Sequence, residues 1–81
     1  MSLDFDERIR VGKIVVPLLV PYLRRLRANG SSDPRADAKA AYDSDPLTQT
    51  RTLAEISPLL AVAGIAVADF NLWVDAAMLQ M

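Results

Sequence analysis

The chain contains no cysteine and no histidine. The first absence excludes a disulfide scaffold. Together the two remove the usual ligands of structural zinc and the usual general base of acid–base and triad chemistry. Glycine is scarce, three in 81 residues, and none sits in a phosphate-cradling pattern. P-loop, GxGxxG, GxSxG and EF-hand spacings are all missing from the sequence. An excess of one charge sign is also lacking. Nine basic and ten acidic residues leave a net charge of −1, so bulk electrostatics select no partner. The start, Met-Ser-Leu-Asp-Phe-Asp-Glu, is acidic where a signal peptide needs bases, and no A-x-A-like site follows an apolar core. The expectation from these absences is a non-enzymatic chain without a catalytic residue, a cofactor or a metal.

What is present is apolar. Hydrophobic residues make up 52% of the chain and mean hydropathy is +0.19, which excludes intrinsic disorder. Eighty-one residues are enough for one small domain, which buries only about 60–65% of the surface of its unfolded chain. The excess of apolar side chains points to a single helical domain that is incomplete without partner subunits.

Residues 3–30 carry two helical rows, Phe5, Ile9, Val16, Val20, Leu23 and Leu26, and Val11, Val15, Leu18 and Tyr22. They merge into one broad apolar arc of period 3.6. Asp6, Arg10, Lys13, Arg24 and Arg25 fall opposite, with Pro17 and Pro21. Proline costs a helix one hydrogen bond, and water can satisfy the freed carbonyl on the solvent side. The spacing predicts one long helix over about 4–28, bent at Pro17 and Pro21; two helices broken at Pro17 are the alternative. Asp4 is the predicted N-cap, with Glu7 in capping-box position. Asn29-Gly30 supplies the stop, and Arg24, Arg25 and Arg27 suit the helix's negative end.

Asp33-Pro34 and Asp45-Pro46 are two copies of one device, an acid that caps and a proline at the first helical position. They predict short helices over about 34–42 and 46–56, with Tyr42, Leu47, Leu53 and Ile56 as buried contacts. Ser57-Pro58 repeats the device, and from Pro58 to Ala68 no polar side chain occurs. A helix that is apolar all round is buried all round. The expectation is a second long helix over about 58–80, with Gly64 allowing close helix–helix approach. The predicted fold is therefore all-α, a helical hairpin of two long helices joined by one or two short ones.

Charge is uneven along the chain. Residues 1–28 sum to +3, residues 29–55 to −2 and residues 56–81 to −2. The expected polar pairing joins Arg24, Arg25 or Arg27 to Asp69 or Asp75 across an interface, within one fold or between neighbouring copies. Asp69, Asn71 and Asp75 form a polar cluster in an apolar region. It reads either as the wetter edge of a buried helix or as a carboxylate site, and two carboxylates without a lysine or a Gly-rich loop give little support to a reaction. Nucleic acid is disfavoured, because no aromatic side chain interleaves with the arginines.

Ser32-Asp33-Pro34, Ala40-Ala41-Tyr42 and Asp75-Ala76-Ala77-Met78-Leu79-Gln80 together resemble the turn and tail of type III secretion needle subunits, small helical hairpins that polymerise. The resemblance covers under a fifth of the chain. The spacing of its parts and the apolar run 58–68 depart from that family.

The function expected from the residues is a structural or interaction subunit. It would assemble through apolar helices into a homo-oligomer, a filament, a viral particle or a larger complex, in the cytoplasm or within a large assembly. The predicted interface is Leu59, Leu60, Val62, Ile65, Val67, Phe70, Trp73, Val74 and Met78. The alternative is a small membrane-associated protein that inserts or docks helix 58–80. Each aspartate near a bilayer centre costs about 2.5–3.5 kcal/mol, and this segment carries two.

Overall fold

Asp4 caps the first helix as its spacing predicts. Its Oδ1 accepts the Glu7 amide at 2.8 Å, and helix α1 then runs unbroken over Phe5–Ala28. Pro17 and Pro21 lie inside it and are exposed, so the lost hydrogen bonds fall where water can replace them. The helix ends at Asn29. The Gly30 amide donates to Arg27 and the Ser31 amide to Leu26, a Schellman closure. Gly30 sits at φ 99°, a backbone region that side chains other than glycine's avoid.

The computed structural model describes residues 4–60 and 65–81 of the chain. The two Asp-Pro devices work as expected. Asp33 caps α2, Pro34–Asp43, and Asp45 caps α3, Pro46–Ile56. A single 3-10 turn follows over Pro58–Leu60, and α4 spans Val67–Met78. The fold is all-α, with no strand among the described residues.

The segment 58–80 is not one long helix. It begins as a 3-10 turn, and its α-helical part is the 12 residues of α4. The Tyr42 hydroxyl donates to the Ile65 carbonyl, an acceptor that a continuous helix would give to its own backbone. Leu60 and Ile65 are buried without belonging to an α-helix. Both thus satisfy burial from outside any α-helix. Gly64 and its predicted helix contact lie outside the described residues.

The pairing of the two terminal segments is present, and α4 packs most extensively on α1 and then on α2. Its sense is not that of a hairpin. Arg8 meets Asp69 and, one turn on, Gly12 meets Trp73, so α1 and α4 run in the same direction. The antiparallel neighbour of α4 is α2, where Lys39 reaches Asp75 and Tyr42 stacks on Phe70 with ring centroids 4.0 Å apart. The core between these helices holds Val15, Leu19, Leu23, Tyr42, Phe70 and Val74, all essentially inaccessible. Leu53 joins this core and Ile56 packs partly against it, but Leu47 is exposed. It sits in the first turn of α3, which leaves its side chain outside the contact with α2.

The Cα radius of gyration is 11.7 Å, against about 11.7 Å expected for a folded chain of this length. The accessible surface is 4995 Å², against about 4,800 Å² for a monomeric protein of this mass. Both values are close to those of a folded chain of this length and mass.

Candidate functional site: the α1–α4 groove

The parallel crossing of α1 and α4 leaves an open groove of about 510 Å³. Arg8, Ile9, Gly12, Lys13, Val16 and Pro17 line it from α1, and Trp73, Ala76 and Gln80 from the α4 end. Its floor depends on a missing side chain. A Cβ on Gly12 would stand 2.7 Å from Trp73 Nε1, closer than such atoms approach, so glycine lets the indole lie against the α1 backbone. A glycine in mid-helix costs about 1 kcal/mol against alanine. On an apolar arc it marks a close contact, and that was the signal available in the sequence for this site.

At one end of the groove Arg8 Nε approaches Asp69 Oδ1 to 2.6 Å, an ion pair whose N–H is not aligned for a hydrogen bond. Asp69 is 1% exposed. It lies in the first turn of α4, where the helix dipole favours a negative charge. Its charge and, more strongly, burial push the Tyr42 hydroxyl up to about 12. Asn71 Oδ1 is buried with no hydrogen-bond partner among the described residues. Lys13 is exposed at the groove edge and forms no ion pair among the described residues.

Within the chain the two aspartates of α4 pair with other cations. Asp69 pairs with Arg8, and Asp75 with Lys39 at 2.8 Å and Arg35 at 3.9 Å. Asp75 forms no ion pair with the arginines that end α1 among the described residues. Arg25 instead meets Glu55 at 3.1 Å and lies 5.6 Å above the Tyr22 ring, beside a smaller hollow of about 270 Å³. Arg24 and Arg27 are exposed, without an ion pair among the described residues. The cause is the parallel sense of α1 and α4. It sets the start of α4, not its end, beside the start of α1. The arrangement also parts Asp69, which faces α1, from Asp75, which faces α2. No group of three or more metal-ligating side chains gathers among the described residues.

The residues expected at an interface are placed as follows. Leu60, Ile65, Phe70, Trp73 and Val74 are buried inside the chain, and Val67 and Met78 are partly buried against its core. The Leu59 side chain and Val62 lie outside the described residues. Of those described, Trp73 alone lines the groove. The large apolar side chains that do face solvent are others. Among the described residues they are Phe5 at 70% exposure, Ile9 at 44% and Leu72 at 54%, with Ile14, Leu47 and Leu79. Ile9 lines the groove, and Phe5 stands one helical turn before it on α1. Leu72 and Leu79 are spaced seven apart on the chain segment that forms the other wall.

Comparison with protein-family models, with curated proteins and with solved structures finds no match for this chain. The resemblance to needle subunits gains no support there, and the parallel sense of α1 and α4 differs from a hairpin. Among the described residues no helix is long and apolar enough to cross a membrane.

Proposed function

We propose that this chain is a non-enzymatic structural or interaction subunit that assembles with copies of itself, and that the α1–α4 face is the surface it uses. The observation that carries this reading is the placement of exposed apolar side chains. Of the large exposed apolar residues among the described ones, Ile9 lines the groove and Phe5 stands one helical turn before it on α1, while Leu72 and Leu79 lie in and just after α4, which supplies the other wall. Scattered exposed apolar residues need no explanation, but a clustered set beside a concave floor is the signature of an interaction site. The buried Leu60, Ile65, Phe70, Trp73 and Val74 support the other half of the reading. They hold the two helices in register and leave the flanks to a second copy.

The test is the mass of the detergent-free chain by sedimentation equilibrium across concentration. The reading predicts a discrete multiple of 8.9 kDa that dissociates on dilution. A single species of 8.9 kDa up to millimolar concentration would overturn it.

A further inference from the structure

The exposed face of α1 divides into two parts of opposite character. Its first turn presents Phe5, the most exposed of the large apolar residues on α1, among the exposed acids Asp4, Asp6 and Glu7. The next two turns form the groove wall, with Ile9, the side-chain-free Gly12, Lys13 and Val16. One part is an acidic apolar plug and the other is an apolar hollow edged by a cation. The Arg8 charge at the hollow is already met by Asp69, so Lys13 is the cation left to select an occupant.

An isologous two-fold contact uses the same patch on both subunits, so the patch must carry both halves of the fit. This patch does, and the helix geometry brings them into register. Phe5 and Lys13 lie eight residues apart, about 12 Å along the helix. If two copies of α1 cross antiparallel near Ile9, each Phe5 comes level with Lys13 of its partner. Each Ile9 meets its own counterpart, and each Asp6 comes beside the partner's Lys13.

Resting on the self-assembly reading above, we propose that the α1–α4 groove is filled by the first turn of α1 from a second copy, with Phe5 inserted over Gly12 and Trp73, and Asp6 paired to Lys13 across a two-fold axis. The opposed charges set the antiparallel direction, since a parallel pairing would bring like ends together.

The experiment is sedimentation equilibrium on the full chain and four variants, with circular dichroism confirming that each stays helical. Phe5→Ser removes the plug and is expected to weaken dimerisation by about tenfold or more, the scale of losing one anchoring aromatic side chain. Asp6→Lys and Lys13→Asp each turn both symmetry-related pairs repulsive and should each weaken it about tenfold. The double variant Asp6→Lys, Lys13→Asp restores opposite charges and should recover most of the loss. A wild-type dimer indifferent to Phe5→Ser, or a double variant no better than the single ones, would overturn this docking while leaving self-assembly standing. A wild-type monomer at every concentration would overturn both.

Discussion

Asp69 and Asp75 are the same residue type on the same 12-residue helix, six positions apart, and they have different weight. Asp69 faces α1, is 1% exposed and meets Arg8 at one end of the groove. Asp75 faces α2, its side chain is 47% exposed, and it has two cations near it, Lys39 and Arg35. Burial sets the order, because a desolvated charge loses its water and cannot recover it when a partner is removed. A half-exposed pair exchanges one solvated arrangement for another.

The largest expected effect is therefore at Asp69. Asp69→Ala should cost about 2–4 kcal/mol, somewhat below a fully buried pair because the Arg8 head can turn to water. Urea unfolding would measure it. A loss under half a kcal/mol would break the contrast between the two acids.

Gly12→Ala comes next. Its methyl group would meet the Trp73 ring at 2.7 Å, and overpacking of this kind costs about 1–3 kcal/mol. A stable variant with unchanged Trp73 emission would show that the seam is looser than described.

The Asp69 side of α4 also has a pH signature. Tyr42 is held neutral in the folded chain up to about 12 from a usual 10, by burial first and then by Asp69. Its contribution is complete below pH 10 and is lost as pH rises from 10 towards 12. Alkaline titration of stability should show that decline in the wild type and a shallower one in Tyr42→Phe. Equal slopes would remove Tyr42 from the account.

Asp75→Asn is the smallest effect, about 1 kcal/mol or less and weakened further by salt. A larger loss, unaffected by salt, would place Asp75 in the same class as Asp69.

Most of the helices were legible because their signals are local. Asp4, Asp33 and Asp45 cap α1, α2 and α3, and each is followed by residues that leave the backbone few alternatives. The sense of packing was not legible. Nothing in the order of residues states that α2 lies antiparallel to α4, or that Asp75 turns to Lys39 and Arg35 of α2. The segment 58–80 departs from its predicted single helix for a related reason. Its uniform apolarity gives burial but no direction, and the tertiary bond from Tyr42 to Ile65 decides where α4 begins. The groove was hidden because Gly12 acts through an absent side chain and Arg8 pairs with a residue 61 positions away.

The central claim is that copies of this chain meet at the α1–α4 groove. Trp73 is the chain's only tryptophan and lies on that groove's floor. The most direct measurement is therefore its fluorescence followed through a dilution series, alongside the mass. The account predicts that emission and mass change together with one midpoint, as the covering side chain leaves the indole. Emission that stays constant while the mass falls would place the interface elsewhere and contradict it.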